Sequence, residues 1–207
     1  RHVEVFNRYL QTKIGMSYPI NRGLKLLLDK ILTDERWDLK FIGMQIILEG
    51  LALAAFHQAR HDTDDPVLDE LLYYVIRDEA RHVTFGVNYL EEFVQTLSDE
   101  EREDRAQFAY EACIVSRDRL IAVDVFRHFG WDVDETRKRI HEMGIRNDFL
   151  NLLYARVIPN LKRIGLLTDR IRPKFEEMGV LNFENLPTDG DTAWSELVKP
   201  LEVTEAA

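Results

Sequence analysis

The 207-residue chain is poor in the two residue types that most often interrupt helices, with ten glycines and six prolines. No stretch alternates convincingly between apolar and polar residues, which argues against a protein built of half-buried strands. Apolar residues make up 45% of the chain, and they recur at spacings of three and four, the pattern of helix faces. We therefore predict an all-α fold with one large domain and a substantial core.

Cysteine and basic residues are also scarce. The single cysteine, Cys113, cannot form an internal disulfide, which fits a reducing compartment, and we interpret it as a small buried residue on a helix. Lysine and arginine together number 27 against 37 acidic residues, so the net charge is −10. Because clustered basic residues are needed to neutralise phosphates, we expect no nucleic-acid partner.

Two further absences concern membranes. The N-terminus has neither the basic segment nor the apolar run of a signal peptide. The longest apolar stretch, from Phe41 to Phe56, is interrupted by Gln45 and Glu49, so we predict no bilayer-spanning helix and no membrane partner. We therefore expect a soluble, cytoplasmic protein.

Capping and turn signals divide the chain into helices. Thr33 and Asp134 are predicted N-caps, Pro66 is predicted at a first helical position, and Ser98 with Glu101 has the pattern of a capping box. The predicted helices cover about residues 1–11, 24–32, 34–60, 66–96, 99–128, 134–143, 147–164 and 169–178.

The helix predicted over residues 34–60 is apolar on nearly every face, so we expect it at the centre of the fold. Residues 1–180 are assigned to a single helical domain. Residues 181–207 contain more Pro, Gly, Asp and Thr, and we interpret them as an irregular C-terminal tail that lies extended on the surface.

A short internal repeat relates two of the predicted helices. Segment 1–10 (RHVEVFNRYL) and segment 81–90 (RHVTFGVNYL) are identical at their first three and last two positions. The second copy follows the residues Asp-Glu-Ala of positions 78–80, so we expect that the sequence begins inside a motif and lacks an equivalent Asp-Glu-Ala before Arg1. The alternative is a chance similarity between two helices.

The second copy of the repeat can bind a metal ion. Glu79 and His82 are three residues apart, so on a helix both side chains lie on one face, about one turn apart. Glu49 interrupts the most apolar helix, where an uncompensated carboxylate is costly and a bound metal would offset that cost. Oxygen and nitrogen ligands of this kind suit iron and manganese. The alternatives for Glu49 are a buried ion pair with an arginine and a protonated carboxyl group.

Together with the repeat, His2, Glu49, Glu79 and His82 resemble the ferritin-like di-metal carboxylate family, which includes oxygenases, desaturases, the ribonucleotide reductase small subunit, rubrerythrins and ferritins. The ligand order of this family is Glu, Glu-x-x-His, Glu, Glu-x-x-His. His2 matches the end of the first Glu-x-x-His, Glu49 matches the lone Glu that follows, and Glu79 with His82 matches the second Glu-x-x-His. The first Glu and the Glu partner of His2 have no counterpart here.

This resemblance covers about residues 1–95 and implies a ferritin-like helical bundle core with additional C-terminal helices. It implies two iron ions as cofactors, with Mn/Fe or Mn/Mn as alternatives. His2 and His82 would each bind one ion, while Glu49 and Glu79 would be the catalytic carboxylates that bridge or chelate the ions.

The function that the resemblance implies is a dioxygen-activating diiron oxygenase or oxidase that acts on a small organic substrate. The long chain after His82 favours an enzyme that encloses a substrate. An electron-donor protein and a homodimer are the expected protein partners. The alternatives are an iron-storage or peroxide-scavenging ferritin-like protein, and a helical bundle with a degenerate metal site.

Two residues are predicted to support the ligands. A metal-bound imidazole normally donates its second N–H group to a carboxylate or carbonyl, and Asp78 is expected to accept that bond from His2. Gln45, one turn from Glu49, is expected either to orient a substrate or water or to be a satisfied core amide. Arg81 is expected to pair with an acid across the bundle, unless Asp78 and Arg81 are simply surface charges.

A second histidine pair, His57 and His61, is four residues apart and is in principle able to bind a metal on one helix face. No acid on that helix completes a site of the zinc-protease type. We therefore interpret this pair as a solvated helix end.

Overall fold

The chain is mainly helical in the residues that the computed structural model describes, which are 1–118, 120, 123–144 and 147–191. These segments contain ten α-helices: α1 (His2–Tyr9), α2 (Arg22–Thr33), α3 (Trp37–Phe41), α4 (Glu49–Asp62), α5 (Pro66–Val94), α6 (Asp99–Asp118), α7 (Val123–His128), α8 (Val133–Glu142), α9 (Asn147–Arg163) and α10 (Arg172–Glu177). No strand occurs in this part of the chain, which confirms the all-α prediction. Short 3-10 turns follow at Leu181–Phe183 and Asp189–Asp191.

One continuous helix over Trp37–Asp62 forms the centre of the molecule, as predicted. It comprises α3, a π-helical segment over Ile42–Leu48, and α4. Its apolar side chains pack on several sides at once, so Leu39, Ile46 and Leu53 are all fully buried. Because this helix contacts neighbours on most faces, it contributes much of the hydrophobic core.

The same helix corrects one expectation about membranes. By length and composition Trp37–Asp62 could cross a bilayer, since an 18-residue window of it has a mean hydropathy of 1.7. The interruptions at Gln45 and Glu49 are too few to lower this value, so the prediction that no helix has this character is wrong. Within the structure 56% of that window is buried, and a core helix of a soluble protein has the same composition.

Helices α4 and α5 form an antiparallel pair joined by a short turn. Asp65 caps α5 by accepting a hydrogen bond from the backbone nitrogen of Val67 at 2.9 Å, and Pro66 occupies the first turn of α5 as predicted. Helix α1 lies across this pair, since Phe6 stacks on Phe56 of α4 with ring centroids 5.4 Å apart. The pair and α1 hold the candidate site between them.

Helices α6 and α9 cover the other side of the central helix. The predicted capping box at the start of α6 is present, because the Ser98 nitrogen donates to Glu101 at 2.9 Å and the Glu101 nitrogen donates to the Ser98 hydroxyl at 3.2 Å. Cys113 of α6 is buried, as predicted, and burial raises the pKa of its thiol to about 12.

Two predicted N-caps are wrong by a few residues. Thr33 ends α2 instead of opening the next helix, and its hydroxyl donates to the carbonyl of Asp29 at 2.6 Å. Helix α8 is capped by Asp132 and not Asp134, since the carboxylate of Asp132 accepts a bond from the Glu135 nitrogen at 2.7 Å. At α8 a neighbouring aspartate thus takes the capping role, whereas α3 begins after Arg36 without a side-chain cap.

Two other boundaries also differ from the prediction. The helix expected over residues 99–128 comprises α6 and α7, and residues 119 and 121–122 between them lie outside the described part of the chain. The helix expected over residues 34–60 begins at Trp37. Asp34 accepts a bond from the Arg36 nitrogen at 2.9 Å, which holds this stretch in a turn ahead of the helix.

The beginning of the predicted C-terminal tail is anchored to the helices. The carboxylate of Asp189 accepts hydrogen bonds from Arg156 at 2.9 Å and from Asn160 at 2.7 Å, both on α9. The hydroxyl of Thr84 on α5 donates to the Asp189 carbonyl at 2.9 Å. Residues 192–207 of the predicted tail lie outside the described residues.

Candidate metal centre

The antiparallel pair of α4 and α5 places two mostly buried carboxylates at the same level along the helix axes. Glu49 lies 14 positions before Thr63, where α4 has ended, and Glu79 lies 14 positions after Asp65, the cap of α5. At about 1.5 Å of rise per residue, each carboxylate is therefore roughly 21 Å from the turn. Both side chains are mostly buried, with 15% of Glu49 and 13% of Glu79 exposed.

Glu79 lies between the two predicted histidine ligands. Its Oε1 is 2.8 Å from Nδ1 of His2 on α1, and its Oε2 is 3.0 Å from Nδ1 of His82 on α5 itself. The two imidazole centroids are 6.3 Å apart. Each carboxylate oxygen thus faces a different histidine, and both histidines turn the same ring nitrogen toward the site.

Three of the four predicted ligands form a compact group. One oxygen of Glu49 lies 3.6 Å from His82 Nδ1, and the ligand atoms of Glu49, Glu79 and His82 all lie within 4.8 Å of one another. Two donor atoms bound to one ion by bonds of about 2.1 Å are separated by roughly 3.0 to 3.5 Å. The group therefore has a spacing that suits one transition-metal ion, whereas the His2 side offers His2 and the other Glu79 oxygen.

The electrostatics of this group favour a cation. Burial, and secondarily the charge of Glu79, raise the pKa of Glu49 to about 8. Two carboxylates held this close resist ionising together, and a divalent ion would balance both charges. Without such an ion Glu49 keeps its proton at neutral pH. This is the protonated carboxyl group that the sequence left open as an alternative for this residue.

No protein-family model, curated protein or solved structure matches this chain. The geometry brings His2, Glu49, Glu79 and His82 together, although they come from three different helices. Their binding of metal stays a prediction.

Asp78 contacts the histidine for which it was predicted. Its Oδ2 lies 3.2 Å from Nε2 of His2, so the imidazole is held by Glu79 on one side and Asp78 on the other. Arg81 donates to the second oxygen of Asp78 at 2.9 Å. This pairing lies along α5. A carboxylate fixed in this way can orient a ligating imidazole.

The contact that the sequence did not indicate is between Gln45 and Gly86. The π-helical segment that contains Gln45 runs directly into Glu49, and a Cβ atom at Gly86 would collide with Cβ of Gln45. When its amide is oriented to satisfy its neighbours, the Gln45 nitrogen donates to Glu49 Oε2 at 2.8 Å and to the His82 carbonyl at 2.9 Å. Because Gly86 has no side chain, Gln45 can pack against it and hydrogen-bond to Glu49.

The alternative histidine pair does not form a site. His57 Nε2 lies 3.1 Å from a guanidinium nitrogen of Arg156, and burial, followed by the Arg156 charge, lowers the pKa of His57. His61 is 84% exposed and contacts the neighbouring Asp62 at 3.0 Å. These contacts agree with a solvated helix end.

A cleft of about 600 Å³ opens between α1 and α5 beside the candidate centre. His2 and Asp78 belong to its lining, which combines apolar side chains such as Val5, Leu71 and Val75 with charged ones. The other charged residues of the lining are Arg1, Glu70, Arg77 and Arg81. A small organic molecule in such a cleft would lie against the His2 side of the centre.

Proposed function

We propose that this chain is a dioxygen-activating diiron oxidoreductase with a ferritin-like bundle, and that it acts on a small organic substrate. The observation that carries the proposal is the position of Glu79, whose two oxygens face His2 and His82 separately. A carboxylate in that position is able to bridge two ions. Glu49, buried beside His82, completes the set of ligands that the described helices provide.

Iron held by these residues would supply one-electron redox chemistry and open positions for dioxygen. The residues of the chain have separate roles around it. Glu49 and Glu79 provide negative charge in a mostly buried site, Asp78 orients His2, and Gln45 holds one oxygen of Glu49. The apolar side chains of the cleft, such as Val5 and Leu71, would pack against a substrate bound beside His2.

The cleft favours an oxygenase or oxidase over iron storage, because its volume of about 600 Å³ beside His2 is that of a site for a small molecule. The proposal also includes a cytoplasmic location and a homodimeric state. Sedimentation velocity measures the state directly, and a concentration-independent monomer would contradict the dimer.

Metal titration tests the proposal on the full chain. After treatment with a chelator, the protein is titrated with Fe(II) without oxygen, and bound iron is measured by mass spectrometry. We expect one ion to bind tightly at Glu49, Glu79 and His82 and a second to bind more weakly at the His2 side, since the described residues offer fewer ligands there. His82→Ala should abolish the tight ion, whereas His2→Ala should weaken only the second.

The matched control is His61→Ala, which removes an exposed histidine of α4 outside the site. Absence of stoichiometric iron or manganese in the wild-type protein would refute the metal centre and leave the degenerate bundle. Admission of air then separates the remaining functions. Consumption of dioxygen at a fixed iron content supports the oxidoreductase, while uptake of many more than two iron ions per chain would indicate storage.

A further inference from the structure

Helix α8 carries a basic face that the rest of the fold does not bury. Arg137 and His141 are four residues apart and therefore share a face, with Lys138 beside them. No residue of α8 is buried. Arg137 has no ion pair among the described residues, and Lys138 reaches Glu142 only at 3.9 Å. These charges stand out in a chain whose net charge is −10.

This face lines a cavity of about 580 Å³ between α8 and the ends of α6 and α9. Arg117, at the end of α6, contributes another guanidinium group, which Asp118 contacts at 2.8 Å. Among the described residues, the cavity lining has three permanent cations and a histidine against the single carboxylate of Asp118. A cavity with this balance attracts an anion.

Tyr154 contributes a buried hydroxyl group beneath the cavity lining, with less than 1 Å² of accessible surface. Tyr154 of α9 lines the cavity and is 4% exposed, and its hydroxyl group has no hydrogen-bond partner among the described residues. Buried hydroxyl groups are normally paired, because leaving one unpaired costs its lost hydration. Burial also raises the pKa of Tyr154, so its hydroxyl stays protonated and able to donate at neutral pH.

The remaining wall of the cavity is apolar. Leu150 of α9 and the residues after α10, which include Met178, Val180 and Phe183, provide it. Phe183 offers a ring face against which a planar or aliphatic group can pack. None of these residues belongs to the metal centre.

We propose that this cavity is a binding site for a small organic anion, with an apolar or aromatic body and one carboxylate or phosphate group. The acid group would contact Arg137, Lys138 and Arg117, which all line the cavity. The body would pack on Phe183 and Leu150. This site does not depend on metal, so it stands or falls separately from the oxidoreductase.

Titration calorimetry on the full chain, with and without chelator, tests the site. The probes are benzoate, phenylphosphonate, the neutral analogue benzamide and inorganic phosphate. We expect saturable binding of at least one of the two aromatic acids, and this binding should weaken with added salt. The acid that binds more tightly shows whether the site prefers a carboxylate or a phosphate-like group. Benzamide and inorganic phosphate should bind at least about tenfold more weakly, because each lacks one of the two recognised parts.

The variants are chosen on one helix. Replacing both Arg137 and Lys138 by Gln should raise the Kd of the preferred acid at least about tenfold. Arg139→Gln should leave it within about twofold, since Arg139 pairs with Glu135 and does not line the cavity.

Several results would overturn the site. These are a lack of saturable binding by either acid, equal binding of benzamide, equal binding of inorganic phosphate, and equal effects of the Arg137/Lys138 and Arg139 substitutions. Circular dichroism of each variant establishes that its helices are intact. An effect of Arg139→Gln as large as that of the double variant would mean that general surface charge attracts the probe.

Discussion

His2 and Glu79 contact each other at 2.8 Å although 77 positions separate them along the chain. The contact joins α1 to the middle of α5, and Asp78 reinforces it from the neighbouring position at 3.2 Å. The two copies of the internal repeat are therefore brought side by side, with Glu79 between their histidines. This relationship gives the candidate centre an approximate internal symmetry.

Glu79→Gln should remove most metal binding, because Gln keeps the shape of the side chain but lacks the charge that a bridging ligand contributes. We expect the affinity for Fe(II) to fall at least about 100-fold, more than the loss usually seen for a residue that only supports a ligand. Iron per chain after dialysis measures the effect. Glu92→Gln, an exposed site on the same helix, should retain wild-type iron.

Asp78→Asn should weaken metal binding by about 10- to 100-fold, because Asn holds the imidazole of His2 less firmly than a carboxylate does. The loss should concern the second, weaker ion, since Asp78 contacts His2 and not His82. Asp69→Asn is the control, as Asp69 is on the same helix and pairs with Arg60 away from the site. Unchanged metal content in the Asp78 variant would refute this role.

Glu49 makes the stability of chelator-treated protein depend on pH. In the unfolded chain its pKa is near 4.5, whereas in the fold it is about 8, so the folded protein retains a proton that the unfolded chain releases. Stability should therefore fall as the pH rises from about 4.5 to about 8. Glu49→Gln cannot ionise, and above pH 8 it should be more stable than wild type by about 2–4 kcal/mol.

Urea denaturation at pH 5 and pH 9 measures this effect. At pH 5 wild-type Glu49 is almost fully protonated, so the two proteins should differ little there. The same variant should lose the tight metal ion. Equal stability differences at both pH values would show that Glu49 is not responsible.

Gly86→Ala should disturb both stability and the metal centre. Its new Cβ would meet Cβ of Gln45, an atom too close to the backbone to move aside by rotation. Overpacking of this kind costs about 1–3 kcal/mol, and displacement of Gln45 would also release Glu49. In Gly50→Ala the new atom meets only a methyl group of Val157 at 3.2 Å, so thermal unfolding should show a smaller loss.

Cys113 should not react with a thiol reagent in the folded protein. Its side chain is buried, and its pKa of about 12 leaves almost no thiolate at pH 8. Reaction with 5,5′-dithiobis(2-nitrobenzoate) should therefore begin only when the protein unfolds, and its rate in increasing urea should follow the unfolding curve. Fast reaction in buffer would contradict the burial of α6.

Much of the fold follows from local signals. The capping box at Ser98, the proline at position 66 and the apolar faces of the central helix are properties of short segments, and each is present as predicted. The error at Asp134 arose because Asp132 can also cap the helix, and the local sequence does not decide between them. At Thr33 the helix begins later, because Asp34 accepts a bond from the Arg36 nitrogen and holds a turn.

The candidate site was predictable for a different reason. Glu79 and His82 are one helical turn apart, and Glu49 is a carboxylate in an otherwise apolar helix, so the residue types alone attract attention. The support from Gln45 was not predictable, because it depends on a π-helical segment and on a glycine 41 positions away. Contacts of that kind are determined by packing between helices, which leaves no periodic trace in the sequence.

Glu49 on α4 and Glu79 on α5 lie equally far from the turn that joins the two helices, and this restricts how the chain can vary in length. One residue inserted between Glu49 and the turn would rotate Glu49 by about 100° and shift it by about 1.5 Å relative to Glu79. The helices themselves therefore have to keep a fixed number of residues between the turn and the carboxylates. Insertions and deletions are compatible with the centre only in the connections, so relatives with the same chemistry should share the spacing from Glu49 to His82 while their other loops differ.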